Sequence, residues 1–327
     1  MRVNKTSSNM PMREVTFKDY LDYIKDHKKI LIEGSELEIG TQRRIKKYQP
    51  EDFKLEETTV WSFPERGDWA THRGDYRGNW PPQLARNVIM RYSRPGETVL
   101  DQMCGGGTTL IECKLLGRRA FGVDINFDAL ILCWDRLNFQ MERGKDMQYP
   151  EIRLYQGDAR NLNLLEDDCV DLIATHPPYA GIIKYSKNRP SDGDLSKASI
   201  EGFLEGMRDI AKESYRVLRP GRYCAILVGD TRRHRHYVPL AFRVMQSFLD
   251  VGFILREDII KHQWKVKKSG ERWKGLAKTA EECWVGKPIG KKFWTDFLLI
   301  YHEHLFIFRK PNEGEELNEL RYSMRWW

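Results

Sequence analysis

The sequence has no run of about 18 apolar residues, the length a helix needs to cross a bilayer, so no membrane span is predicted. No apolar stretch follows the basic residues near the N-terminus, so a secretory signal is not expected. Cysteine is scarce. The six cysteines among 327 residues form no CxxC pair and show no metal-ligand spacing, which points to reduced, mostly buried thiols of a cytoplasmic protein. Internal repeats and low-complexity tracts are absent. Charge of one sign is only mildly in excess, with 54 Lys+Arg against 47 Asp+Glu and a formal net charge of +7. The excess is uneven, because Lys261–Lys292 is strongly basic and is interleaved with Trp264, Trp273 and Trp284. Such a segment suits a phosphate backbone and unstacked bases, or is a solvated loop anchored by tryptophans.

What is present is a chain that is 41% hydrophobic, enough for a sizeable core. Residues 1–60 are polar and charged, with one amphipathic helix expected over Phe17–Ile30 from the spacing of Phe17, Tyr20, Leu21 and Ile24. From Glu97 the pattern alternates. Glu97–Asp101 reads as a strand, Thr108–Leu116 as a helix, Arg119–Asp124 as a strand and Phe127–Met141 as a helix. Strands follow at Ile152–Gln156 and Val170–Thr175, then a helix from Ile200 to Leu218. The remaining elements are a strand at Tyr223–Val228, a helix at Val238–Leu249, and strands at Phe253–Lys261 and Tyr301–Arg309. Alternation with short connections predicts an α/β fold, a mostly parallel sheet covered on both faces.

Asp101-Gln102-Met103-Cys104-Gly105-Gly106-Gly107-Thr108-Thr109 lies where the first of these strands hands over to a helix. Consecutive glycines let the backbone turn tightly and approach a ligand, and ligands of open parallel sheets bind outside the carboxyl ends of the strands. A P-loop would need Lys after the glycines, and a dinucleotide fingerprint would need a third glycine where Leu110 stands. Asp101 places a carboxylate beside the loop, which repels a pyrophosphate and attracts an α-ammonium. S-adenosyl-L-methionine carries that ammonium and no phosphate. Asp124 ends the next strand, where its carboxylate can accept ribose hydroxyls, and Asp158 follows the third, where it can accept from the adenine amine. One such acid could simply cap a helix. Three at successive strand ends point to a nucleoside site.

The fourth strand runs into Thr175-His176-Pro177-Pro178-Tyr179. Here the chain resembles the amino-methyltransferases of DNA, which act on cytosine N4 or adenine N6, and the resemblance extends from about His72 to Lys310. Asn79-Trp80-Pro81-Pro82 is similar to the family's additional cofactor motif, a helix start that packs on the methionine end, and Val217-Leu218-Arg219-Pro220-Gly221 also matches. The resemblance implies a Rossmann-like methyltransferase sheet with an antiparallel last strand, in the non-permuted motif order. It implies a methyltransferase domain over 71–327 after an N-terminal extension of residues 1–70, with 261–296 as a basic target-recognition insert. The implied cofactor is S-adenosylmethionine, held by Asp101, Met103, Cys104, Gly105, Gly107, Thr108, Thr109, Asp124, Ile125, Asp158, Ala159, Asn79, Trp80 and Pro81. The implied partner is double-stranded DNA in a bacterial or archaeal cytoplasm, with monomer and homodimer both open.

An exocyclic base amine is conjugated with its ring and is a poor nucleophile. Acceptors aimed at both N–H groups free its lone pair. By the resemblance, the His176 side chain and the Pro177 carbonyl are those acceptors, Pro177 and Pro178 fix the backbone, and Tyr179 stacks on the extruded base. Family members usually carry Asp, Asn or Ser where this chain has His176. Histidine accepts only when neutral, which is nearer Ser than Asp and favours cytosine. The competing classes are an RNA-base or protein-amine methyltransferase and a non-catalytic nucleic-acid-binding protein. His302 and His304 share one strand face, but no third ligand is spaced nearby, so no metal is expected. The cluster Arg232–His236 is either a phosphate contact or a solvated loop.

Overall fold

A computed structural model describes residues 10–32, 34–41, 45–76, 78–140, 150–178, 194–234, 236–264, 298 and 300–325. The described strands are β1 (Arg13–Val15), β2 (Lys29–Ile32), β3 (Ser35–Glu38), β4 (Val60–Ser62), β5 (Thr98–Asp101), β6 (Arg119–Asp124) and β7 (Ile152–Gln156). They continue with β8 (Val170–Thr175), β9 (Leu218–Val228), β10 (Thr231–Arg233), β11 (His236–Val238), β12 (Ile254–His262) and β13 (His302–Arg309). The helices are α1 (Phe17–Asp26), α2 (Pro82–Tyr92), α3 (Thr108–Leu116), α4 (Phe127–Leu137), α5 (Ile200–Val217) and α6 (Leu240–Val251). No described helix is long and apolar enough to cross a membrane.

One sheet organises the chain, with strand order β1-β7-β6-β5-β8-β9-β13-β12-β4. The five strands from β7 to β9 are mutually parallel, and β13 runs antiparallel to both β9 and β12. The expected antiparallel last strand is therefore present. The chain leaves β5 toward β6 and β7 on one side and returns to β8 and β9 on the other, so the switch point lies between β5 and β8. A crevice opens there, outside the carboxyl ends of the strands.

Every residue of β5 and β8 is buried, as expected for central parallel strands covered on both faces. Alternate residues enter opposite cores. Val99, Leu172, Leu305 and Ile307 join the side covered by α2, α3 and α4. Leu100, Ile173, Phe306 and Phe308 join the side covered by α5 and α6. The apolar stripe Phe203, Met207, Ile210, Ala211 and Val217 gives α5 one buried face, and the Ser199 side chain caps its N-terminus by accepting from the Gly202 N–H at 3.1 Å.

The sequence places most of these elements within a few residues, with instructive differences. The helix expected over Phe17–Ile30 stops at Asp26, because the residues after His27 alternate in burial and pair as the β2–β3 hairpin. The next helix ends at Leu137, with Asn138 as its C-cap; Met141 lies outside the described residues. β9 begins at Leu218, so Arg219-Pro220-Gly221, which lies between the helix and strand expected there, is itself strand, with a register shift against β8 between Val170 and Leu172. The polar N-terminal segment supplies both edge strands, β1 beside β7 and β4 beside β12.

The loop from β5 to α3 must turn within a few residues. Gly107, the N-cap of α3, has φ +82°, and a Cβ there would lie 2.4 Å from Cys133 Sγ on α4. Left-handed backbone costs other residues about 1–2 kcal/mol, and the overlap with Cys133 adds to it. Gly107→Ala should therefore lower stability by at least about 1–2 kcal/mol in urea unfolding. An unchanged midpoint would show that the loop relaxes freely.

Candidate cofactor and methyl-transfer cleft

The crevice at the switch point holds about 880 Å³ of empty space, open solvent at its mouth included. Asp101 lies at its floor. Its Oδ1 accepts from the Met103 N–H at 3.2 Å and the Thr175 hydroxyl at 2.9 Å, and its Oδ2 from the Thr109 hydroxyl at 2.5 Å. One carboxylate thus ties the Gly loop and α3 to the tip of β8. Burial pushes its carboxyl up to about 6, although all three hydrogen bonds oppose that rise. Asp124 accepts from the Gly105 N–H at 2.9 Å and the Asn126 N–H at 2.8 Å, and burial raises it to about 6 as well.

Of the residues expected to hold a cofactor, Asp101, Met103, Cys104, Gly105, Thr108, Asp124, Ile125, Asp158, Ala159, Asn79 and Trp80 line the cleft. Gly107, Thr109 and Pro81 stand behind its wall. Gly107 and Pro81 are N-caps, and Thr109 spends its hydroxyl on Asp101. Asp158 is already engaged by Arg160, whose Nε donates to Oδ1 at 2.9 Å and to Oδ2 at 3.1 Å. Asn79 accepts the Thr108 hydroxyl at 2.5 Å, which binds the start of α2 to the Gly loop. Glu112, in the middle of α3, fixes the segment leading there through Trp69 Nε1 at 2.6 Å, His72 Nε2 at 2.7 Å and Arg86 Nη1 at 2.8 Å.

His176 and Pro178 line the same cleft. Pro177 does not line it, and Tyr179 lies outside the described residues. Trp80 stacks on His176 with ring centroids 6.4 Å apart. Burial lowers the His176 imidazole below its ordinary value, against the opposing pull of Glu303. Glu303 was not singled out by the sequence. It is buried, with Oε1 3.8 Å from His176 Nε2 and Oε2 2.8 Å from Lys261 Nζ. Burial alone would raise Glu303, but Lys261 first and His176 next hold it at about 2. Other missed wall residues are Tyr76, Gly78, Gln102, Asn126, Gly157, Asp194 and Leu195. Asp194 and Leu195 fall in Arg189–Lys197, whose Pro, Ser, Asp and Gly give it loop character in the sequence, so only tertiary structure brings them here.

The described lining contains four aspartates and no Lys or Arg. A phosphate-bearing nucleotide does not fit such a wall. A ligand with an ammonium and a sulfonium does. Gly105 (φ +48°) is glycine because a Cβ there would lie 2.7 Å from the Tyr76 ring, which also lines the cleft.

The comparisons agree. The family model described as DNA methylase matches residues 13–130 and 170–324. The chain belongs to this DNA methylase family. A second model, the RMKL-like methyltransferase domain, matches residues 75–191 of the chain. Among curated relatives it is 34% identical over 183 residues to the tRNA (guanine(10)-N2)-dimethyltransferase of Methanothermobacter thermautotrophicus, covering 56% of this chain and 45% of that one. It is 26% identical over 173 residues to the Type II methyltransferase M.BglII of Bacillus subtilis, covering 51% and 44%. The matches therefore span less than half the length of these two relatives. A solved neighbour is the TehB-like SAM-dependent methyltransferase of Corynebacterium glutamicum, with TM-score 0.39, 18% identity and coverage of 69% of this chain and 86% of that one.

The basic segment 261–296 is described only to Trp264, so Lys265, Lys267, Lys268, Trp273 and Trp284 lie outside the described residues. In the cluster Arg232–His236, Arg232 donates to the Leu298 carbonyl at 2.7 Å and packs over Tyr237, so it is tied to its own fold. The expectation that His302 and His304 have no third ligand nearby is corrected by tertiary structure, which sets Asp230 beside both.

Because Asp101 is raised in the folded protein, its contribution to stability is fully present below its unfolded value of 3.8 and is lost as pH rises through about 6. Wild type should therefore gain stability on acidification from neutral pH toward pH ~5 relative to Asp101→Asn. Equal slopes in denaturant titrations would show that the carboxylate is not strained by burial.

Proposed function

We propose that the enzyme methylates the exocyclic amine of a DNA base, cytosine N4 in preference to adenine N6, within a restriction-modification setting. The observation that carries this reading is that His176 and Pro178 open onto the same cleft as the Asp101 and Asp124 carboxylates. The DNA methylase model and the Type II methyltransferase relatives support DNA as the substrate. S-adenosylmethionine, when bound, supplies an electrophilic methyl group on a sulfonium. In this reading Asp101 pairs with its ammonium, Asp124 accepts its ribose hydroxyls, Asp158 faces the adenine end, and Asn79 and Trp80 close over the methionine end.

The target base must leave the duplex to reach the cleft. Neutral His176 accepts one amine N–H and the Pro177 carbonyl accepts the other, so that the nitrogen lone pair turns toward the methyl group. The two prolines hold that carbonyl outward, Tyr179 stacks on the base, and the basic segment 261–296 meets the duplex as an insert in a methyltransferase domain over 71–327. A buried, neutral acceptor resembles the Ser of cytosine enzymes more than the Asp of adenine enzymes.

A second reading has its own support. The tRNA dimethyltransferase similarity, with that of the release factor glutamine methyltransferase of Streptomyces coelicolor at 30% identity over 138 residues, favours an RNA-base or protein-amide nitrogen. Nucleoside mass spectrometry on DNA and tRNA from expressing cells separates the two. N4-methylcytosine in DNA is the expected result. Methylated tRNA nucleosides with unmodified DNA would overturn the proposal in favour of RNA.

The role of His176 has a pH signature. Protonation turns the acceptor into a donor, so turnover should fall at low pH. Burial of this imidazole moves that fall below the ordinary value of about 6.5. Single-turnover rates at saturating cofactor should show this acid limb in wild type, lack it in His176→Ser, and drop about tenfold or more in His176→Ala. An Ala variant as fast as wild type would remove His176 from the amine.

A further inference from the structure

The two faces of β13 carry different chemistry at the carboxyl edge of the sheet. Glu303 faces His176, as described above. On the opposite face His302 and His304 meet Asp230, which follows the end of β9. One donor atom from each of the three lies within 4.8 Å of the others. The Asp230 side chain has no exposed surface and that of His304 is 6% exposed, with His304 Nε2 3.7 Å from Asp230 Oδ2. The two imidazole rings are 5.2 Å apart and nearly perpendicular.

We propose that Asp230, His302 and His304 form a binding site for a divalent first-row transition metal, with zinc as the resident ion. Two imidazoles and one carboxylate are a donor set suited to zinc, which binds each at about 2.0–2.2 Å. Two donors on a tetrahedral ion then sit about 3.4 Å apart. His304 and Asp230 are within a few tenths of an ångström of that spacing. His302 is only half-buried and can close the remaining gap by turning about its side-chain bonds.

The surroundings have the form that supports metal ligands. His304 Nδ1 contacts the Asp258 carboxylate at 3.0 Å, which leaves Nε2 directed at Asp230. A carboxylate behind a histidine fixes its tautomer and raises its basicity as a ligand. Asp230 is in turn held by the Ala241 N–H at 2.8 Å on Oδ1 and by the Tyr237 hydroxyl on Oδ2. Phe242 packs edge-on against His304 at 4.9 Å and shields it from water. Three protein ligands leave a fourth position for water. The ion would fasten the β9–β10 corner to the start of β13, on the strand that also carries Glu303 to His176.

The alternative is that His304 is simply charge-paired between Asp230 and Asp258 without an ion, and the test distinguishes them. The full chain, free of any affinity tag and stripped of metal, is titrated with Co²⁺ and then Zn²⁺. One Co²⁺ per chain should bind, with the intense visible absorption of a four- or five-coordinate ion and no thiolate charge-transfer band, and Zn²⁺ should displace it. Zn²⁺ should raise the thermal midpoint of wild type. His302→Ala should remove both effects, and Asp258→Asn should weaken binding about 10–100-fold through loss of the supporting carboxylate. Substoichiometric binding, a thiolate band, or wild-type affinity in His302→Ala would overturn the site. If His302→Ala alters the metal-free circular dichroism spectrum, the milder Asp258→Asn decides, and undiminished affinity there counts against the proposal.

Discussion

The cleft depends on one buried carboxylate. Asp101 takes hydrogen bonds from the Gly loop, from Thr109 on α3 and from Thr175 at the end of β8. The strand that precedes the cofactor loop and the strand that delivers His176 are thereby fixed to one another on either side of the switch point. Among the described residues Asp101 has no cationic partner; a charge so held is costly, and the rise of its carboxyl to about 6 expresses that cost. A cationic ligand offsets the burial, so strain and specificity share one cause.

The rest of the site extends this arrangement. Asp124 anchors Gly105 as Asp101 anchors Met103, so each acid shapes the loop that it faces. Trp80 lies against His176 while its neighbour Asn79 holds Thr108, so the segment before α2 reaches from the Gly loop to the residue after β8. Behind His176, Glu303 and Lys261 form a buried ion pair across β12 and β13. Leaving either unpaired in that core would be costly. The pair ties β12 to β13, and Glu303 Oε1 lies 3.8 Å from His176 Nε2 just beyond β8.

Much of this was legible in the sequence because the signals are local. The short apolar stretches Val99–Leu100 and Ala120–Val123 before Asp101 and Asp124, the glycines after the first, and the prolines after Thr175 each mark a strand end by themselves, and Thr108–Leu116 is legible at both its ends. Short elements were not legible. β1 and β4 have three residues each and gain their pairing only from strands more than a hundred residues away. Glu303 reads as an ordinary charged residue between two histidines until β13 is placed beside β9, one strand away from β8. Asp230 lies 72 positions before His302 and joins it only because β9 and β13 are neighbours in the sheet. Spacing along the chain could not reveal either partnership.

The central claim is that one cleft has a cofactor end at Asp101 and an amine end at His176. Calorimetry of S-adenosylmethionine binding to wild type, Asp101→Asn and His176→Ala, at neutral pH with folding verified, tests it directly. A charge-assisted hydrogen bond is worth about 1.5–3 kcal/mol. The account therefore predicts that Asp101→Asn weakens binding roughly tenfold to a hundredfold, while His176→Ala binds like wild type. Undiminished affinity in Asp101→Asn, or equal losses in both variants, would contradict the division of the cleft.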